Sequence, residues 1–388
     1  MNNDLKLMIP GPTEVSREVL CKLSEPVRPH YGPEFCELYF EVLDKMRKVY
    51  QTENDFYIIA ATSSSAMEIA VSHAVEPGGK ILICNNGVFG DRFTEMAEAY
   101  GIEVVTTRSE YGKPINAQQV KEALESDPKI KTLALVHNES STGVESPLEP
   151  IMAVAREKNI LTIVDTVSSM GGVDIKTDEL DIDFCVSGSQ KCFGALAGLG
   201  FISVSARAWE RINARKKPVA SWYLNLNILK SYGEKWRQWH PQGPNTAPVS
   251  LYMGLNQALD EILTEGLEKR FARHIRARDA LRAAMKAMGL ELFVENEFAS
   301  KTLTAVCLPE GVDGTALRGN IQKKHGILLA GGLGDTANTV IRIGHLAHTA
   351  AAEYLEPTIT AIETELAAMG TPIVSGRAVA AFREVFGE

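Results

Sequence analysis

The sequence predicts an α/β fold in two units: a mostly parallel, seven-stranded sheet covered by helices, then a smaller C-terminal α+β unit. Three observations lead there. Seven short runs rich in β-branched and apolar residues alternate with helical periodicity between about residues 55 and 205. The rhythm then breaks over residues 207–250, where Pro218, Pro241, Pro244 and Pro248 accompany Trp236, Trp239 and His240. After a long helical stretch, residues 290–388 mix strands with helices.

The seven runs are 56–60, 80–84, 103–107, 132–136, 160–164, 182–186 and 200–204. They read as near-continuous apolar segments, which is how strands buried on both faces read. Segments 66–75, 92–100 and 147–158 carry the 3.6-residue period of helices lying between them. A long helix is expected over 249–288, interrupted near Gly254 and Gly266. Strands are expected at 303–308 and 340–343. The division into units falls at 1–255, with an N-terminal arm, and 256–388.

Composition excludes several classes of function. The net charge is −9 over 388 residues, and no basic block is longer than Arg215-Lys216-Lys217. A nucleic-acid partner is therefore not expected. No apolar stretch reaches the roughly 18 residues of a membrane span, and Met1 to Lys6 lacks the pattern of a signal peptide. The six cysteines form no CxxC pair, and the eight histidines show no metal-ligand spacing. A reduced, metal-free cytoplasmic protein is the expectation.

The chemistry concentrates where parallel sheets place ligands, at the carboxyl ends of their strands. The fifth run ends in Asp165, and the sixth leads into Ser187-Gly188-Ser189-Gln190-Lys191. A lysine and a carboxylate on one sheet edge are the groups pyridoxal phosphate requires: an amine for a Schiff base and an acid to hold the pyridine nitrogen protonated. Thr62-Ser63-Ser64-Ser65 opens a helix on the same edge, and helix starts bind anions. Taken alone, that run is equally a plain helix cap. Phe89 stands beyond the second strand, as a stacking ring or as core. Arg342 interrupts a β-branched strand, as a carboxylate fork or as half of a buried ion pair. Gly331-Gly332-Leu333-Gly334 and residues 194–200 are glycine-rich without matching a dinucleotide fingerprint.

Together, several segments resemble the class V aminotransferases of fold type I, in particular the alanine/serine–glyoxylate aminotransferase group. They are Ile9-Pro10-Gly11-Pro12-Thr13, Asn86-Gly87-Val88-Phe89-Gly90, His137-Asn138-Glu139-Ser140-Ser141-Thr142-Gly143-Val144 and Val164-Asp165-Thr166-Val167-Ser168-Ser169. Residues 187–191, Gly331-Gly332-Leu333-Gly334 and Arg342-Ile343-Gly344 complete the set in the family's order. The resemblance implies a homodimer with shared active sites that binds pyridoxal 5'-phosphate. Lys191 and Asp165 would be catalytic, the lysine forming the Schiff base. Val167 would pack beneath the ring, Phe89 would stack on it, and Ser140 would lie near its phenolic oxygen and the substrate. Thr62, Ser63, Ser64 and Gln190 would hold the phosphate, joined by Thr246 of the neighbouring subunit. Arg342 would grip the substrate's α-carboxylate, with His30 and Tyr31 also at the substrate.

This chain departs from the family pattern at four places. Thr62-Ser63-Ser64-Ser65 replaces the common Ser/Thr-Gly-Thr-Gly phosphate turn, and His30-Tyr31-Gly32-Pro33 replaces His-Arg-Ser-Pro. Leu196-Ala197-Gly198 stands for Pro-Pro-Gly, and Gly243 for an aromatic that would leave the cleft open near Arg237. The activity implied is transfer of an amino group from a donor of the alanine, serine or aspartate class to glyoxylate or pyruvate, by a ping-pong route through a pyridoxamine phosphate form. Cysteine desulfuration and kynureninase-type cleavage are alternatives on the same scaffold, and a non-catalytic binding protein is one of another class.

Overall fold

The structure is a computed structural model that describes residues 5–387. Residues 1–4, part of the segment read above for a targeting signal, lie outside the described residues. The strands are β1 (Lys6–Met8), β2 (Asp55–Ile59), β3 (Lys80–Asn85), β4 (Glu103–Arg108), β5 (Thr132–Val136), β6 (Asn138–Glu139), β7 (Val144–Glu145), β8 (Leu161–Asp165), β9 (Phe184–Gly188), β10 (Gly200–Val204), β11 (Leu303–Cys307), β12 (Ile327–Gly331) and β13 (Val340–Gly344). Seven of them form one sheet in the order β2-β10-β9-β8-β5-β3-β4. The seven expected runs are these seven strands. Only β10 runs against the others, pairing antiparallel with both β2 and β9. Residues 189–199, which join β9 to β10, are too few for the parallel crossover of about a dozen or more residues.

The expected run at 182–186 becomes a strand only from Phe184. Asp183 turns its carboxylate onto the Thr162 N–H (2.8 Å) and the Arg207 guanidinium, so the segment before it is spent on a side-chain cap. Within the sheet, period-2 alternation feeds two cores. Leu133 and Leu135 point into one, Ala134 and Val136 into the other.

The second sheet has the order β1-β12-β13-β11, so the N-terminal strand pairs in parallel with β12 of the C-terminal part. Ile341 and Ile343 of β13 face its core, and Arg342 between them takes the opposite side. Among the described residues, no helix is long and apolar enough to cross a membrane.

The long helical stretch breaks at Gly266 (φ 83°) into Val249–Glu265 and Leu267–Ala287, and it does not break at Gly254. Gly254 is inside the first helix because the helix Arg17–Leu23 packs across it. A Cβ there would stand 3.4 Å from Leu23 Cδ2 and 3.6 Å from Val19 Cγ1. Ala258, Leu259 and Ile262 of the same helix join the core of the large sheet. Gly254→Ala fits this contact and should stabilise the fold by roughly 0.5–1 kcal/mol through helix propensity. Gly254→Leu overfills it and should cost roughly 1–3 kcal/mol. Urea midpoints of the two variants on opposite sides of the wild type would bear this out; two variants moving together would refute the packing argument.

Candidate active site

The carboxyl ends of β5, β8 and β9, with the helix starts that follow β2 and β3, enclose a cavity of about 250 Å³. Asp165, Lys191, Phe89, Ser140, Ser63 and Gln190 all line it. A wider groove of about 370 Å³ lies elsewhere, between charged side chains such as Glu25, Glu41 and Asp260, and it holds no buried nucleophile.

Lys191 reaches across the cavity to donate to the Pro10 carbonyl. Gly11 makes this crossing possible. A Cβ on Gly11 would stand 2.5 Å from Lys191 Cδ and 2.6 Å from Nζ, and its φ of +116° suits glycine. Burial pushes the Lys191 amine down to about 8; the arginines Arg342 and Arg92 add to the shift, and Asp165 opposes it. Asp165 is buried, with one carboxylate oxygen accepting the Val167 N–H at 2.7 Å. Burial pushes its pKa up to about 7; nearby Glu139 adds to the rise, while the Val167 N–H, Lys191 and Arg92 oppose it. Val167 also lines the cavity.

At the opposite end, Thr62 precedes the helix Ser63–Ala74 without forming a side-chain cap, so the Thr62, Ser63 and Ser64 run faces the cavity. Gln190 Nε2 donates to Ser63 Oγ at 3.2 Å. The extra bulk of serine over glycine at this turn is accommodated by glycines opposite. A Cβ on Gly188 would come within 2.7 Å of Ser63 Cβ, and one on Gly200 within 2.8 Å of the Thr62 carbonyl oxygen. Two buried oxygens on the cavity wall, Gln190 Oε1 and Asn138 Oδ1, have no hydrogen-bond partner. Orphaned polar atoms of this kind require a ligand or ordered water. A lysine, a buried carboxylate and an uncapped helix start lining one cavity fit pyridoxal phosphate.

Arg342 is buried and already holds two backbone carbonyls, Gly331 O through Nε (2.7 Å) and Ser140 O through Nη1 (2.5 Å). Burial lowers its pKa to about 10, which leaves it cationic at neutral pH. The structure does not bring Arg342, Thr246, His30 or Tyr31 into the cavity lining of their own chain; Arg342 stands behind Ser140, which does line it. Thr246 is exposed, Tyr31 stacks on Trp239 at 5.3 Å, and His30 packs edge-on to His240 at 5.1 Å. Gly243 does not open space: its φ is +118°, and a Cβ would strike Leu229 Cδ2 at 2.7 Å. Nearby Arg237 lies over the Phe40 ring at 4.6 Å.

Three further residues belong to the site: Arg92, and Asn138 and Glu139 of the edge segment that precedes Ser140. Arg92 lines the cavity one helical turn beyond Phe89, its guanidinium 4.6 Å over that ring. The spacing Phe89…Arg92 was the available signal. Asn138 donates to Ser168 Oγ (2.9 Å) and Thr302 Oγ1 (2.9 Å), and Glu139 beside it is fully buried. Their neighbour Ser140 had drawn the attention.

A lysine and a carboxylate buried at one sheet edge, opposite an anion-binding helix start, define a pyridoxal phosphate enzyme. The sequence model described as Aminotransferase class-V matches residues 25–352, and the chain belongs to that family: it is a pyridoxal phosphate-dependent aminotransferase. An uncharacterized aminotransferase of Methanocaldococcus jannaschii is 40% identical, covering 94% of this chain and 93% of its own. The crystal structure of ureidoglycine–glyoxylate aminotransferase from Bacillus subtilis superposes with a TM-score of 0.93 at 32% identity, over 99% of this chain and 98% of that one. That of an alanine–glyoxylate aminotransferase from Nostoc gives 0.90 at 37%, over 94% and 96%.

The Lys191 environment has a measurable consequence. An amine with a pKa of about 8 is neutral, and so nucleophilic, well below the range of free lysine. Borohydride trapping of pyridoxal phosphate on the cofactor-free protein should therefore rise about tenfold per pH unit below 8 and level off above it. Peptide mapping should place the adduct on Lys191. A rate still climbing at pH 10 would show that the amine is not desolvated.

Proposed function

We propose that the protein transfers an α-amino group from a donor of the alanine, serine or aspartate class to glyoxylate or pyruvate, as a cytoplasmic homodimer. The observation that carries this reading is the placement of Lys191 and Asp165 in one cavity, with the Arg342 guanidinium hydrogen-bonded to the backbone of Ser140 on its wall. The acceptor is suggested by the relatives from Bacillus subtilis and Nostoc, both named for glyoxylate. Exposed Thr246, and the aromatic surface of Tyr31 and Trp239 (44% and 51% exposed), support a shared interface where they meet a neighbouring subunit.

When bound, the cofactor supplies an electron sink for the pair released as the Cα–H bond breaks. The protein's part is proton handling and orientation. Lys191 Nζ, neutral near pH 8, takes the proton from the substrate's Cα and returns it on the other side of the exchange. Asp165 supplies the negative charge that favours a protonated nitrogen beside it. The free edge of Arg342 offers a cationic donor for a carboxylate, and its two backbone bonds fix the direction in which that donor points. Desulfuration would require a cysteine at the substrate. Among the described residues none lines the cavity; Cys192 is buried with its thiol on the Ser168 carbonyl, and Cys307 belongs to β11.

Mixing the pyridoxal phosphate-loaded protein with single amino acids and following the cofactor's visible absorbance tests the reading and ranks the donors. Lys191→Ala should lower overall turnover by several orders of magnitude, because the covalent tether and the proton carrier go together. Near wild-type turnover in that variant would overturn the assignment.

Arg342→Ala should weaken every donor that carries an α-carboxylate by about 2–5 kcal/mol, and an amine lacking one far less. Comparing kcat/KM for alanine with that for a simple alkylamine separates the roles. Equal losses would make Arg342 a purely structural clamp between Ser140 and Gly331.

A further inference from the structure

We infer that Glu139 is a positioning residue whose buried carboxylate holds Phe89 in place against the cofactor cavity. This rests on the reading of that cavity as the pyridoxal phosphate site. Glu139 is fully buried, between Asn138 and Ser140, which both line the cavity. One of its oxygens accepts the N–H groups of Phe89 (3.1 Å) and Gly90 (3.3 Å). The other accepts the Ser141 N–H (3.0 Å) and the Ser141 hydroxyl (2.6 Å). Ser141 Oγ in turn accepts the Val88 N–H at 3.1 Å.

The helix that carries Phe89, Val88–Ala99, starts at Gly87, which has no side chain to cap it. Its first N–H groups would otherwise be buried without partners. Glu139, reaching over from β6, is the cap. A carboxylate suits the position because the start of a helix carries partial positive charge, which its oxygen meets at the Phe89 and Gly90 N–H groups. The contact is close enough to dictate the neighbouring residue. A Cβ on Gly87 would lie 2.4 Å from Glu139 Cγ. Ser140 follows directly on β6, and its carbonyl is held by Arg342. Glu139 thus sets the distance between the aromatic wall and the serine wall of one cavity, and it acts on the cofactor through Phe89 rather than by touching it.

The test is a double-mutant cycle on the binding of pyridoxal phosphate to the cofactor-free protein, read by titration and by the visible circular dichroism of the bound cofactor. The wild type is titrated first; failure of the wild type to bind would overturn the cofactor reading itself, and this inference with it. Glu139→Gln turns one acceptor into a donor facing buried N–H groups, and should weaken binding on the order of tenfold while reducing the dichroism. Phe89→Leu should show a similar loss. The double variant should lose little more than either single one, because both remove the same stacking contact. Losses that multiply, or a Glu139→Gln variant that binds with wild-type affinity and dichroism, would overturn the inference. If Glu139→Gln does not fold, Ser141→Ala serves in the same cycle: it removes one donor to Glu139 and the acceptor for Val88. A loss that vanishes in the Phe89→Leu background supports the inference, and one that persists there refutes it.

Discussion

The amine of Lys191 and the carboxylate of Asp165 share one desolvated cavity, and desolvation drives each toward its neutral form: the lysine down to about 8, the aspartate up to about 7. Each partly restores the other's charge, and neither is in water. Keeping two such groups together takes a rigid frame, and the parallel sheet supplies it. β8 and β9 are adjacent and in register, with Asp165 paired to Val186, so the two chains leave the sheet side by side. Further charges of both signs lie near the pair. Glu139 raises Asp165, while Arg92 and Arg342 lower Lys191.

The two sheets are joined through backbone carbonyls rather than by side-chain ion pairs alone. Arg342 of β13 holds Ser140 O and Gly331 O, while Arg270 holds Gly171 O (2.8 Å) and Cys192 O (2.7 Å). Arg273 holds Ala347 O (2.7 Å). Coming the other way, Thr13 donates its N–H to Gln190 O (3.1 Å) and its hydroxyl to Leu346 O (3.1 Å). Arginine suits this work because its planar fork spans two acceptors and stays charged when buried. The residues on either side of Lys191 are therefore clamped, Gln190 by Thr13 in the segment after β1 and Cys192 by Arg270 of the helix Leu267–Ala287. Any displacement between the sheets moves Lys191 relative to Arg342 only by breaking these bonds.

Most of the large sheet was legible because its strands are buried on both faces. An apolar run such as Thr132-Leu133-Ala134-Leu135-Val136 has no solvated face to interrupt it, and it is a strand over the same residues in the fold. Asp165 and Lys191 were legible for the complementary reason, as charged residues at the ends of such runs. What stayed hidden depends on contacts distant in sequence. Gly254 reads as a helix break until the helix Arg17–Leu23 is seen packed on it. Gly243 reads as open space, yet Leu229 fills it. The role of Glu139 has no local signal, because its four donors come from Ser141 and from a helix some fifty residues away. The destination of β1, paired in the C-terminal sheet, has no local signature either.

The serine-rich turn at Thr62-Ser63-Ser64-Ser65 shows how a departure from a family pattern is absorbed by the packing around it. Ser63 and Ser65 occupy positions where the common pattern has glycine, and a side chain there needs volume. Gly188 at the end of β9 and Gly200 at the start of β10 face them, close enough that a Cβ on Gly188 would reach 2.7 Å from Ser63 Cβ and one on Gly200 3.2 Å from Ser65 Oγ. Gly188 and Gly200 are themselves paired across the two strands. The steric requirement is thus for one small partner at each contact, and the glycines sit on the sheet side here. The exchange has a chemical consequence. The Ser63 hydroxyl now faces the cavity and accepts from Gln190, which turns the Gln190 carbonyl oxygen away to stand unpartnered. This end of the cavity gains a hydroxyl wall where the common pattern offers bare backbone.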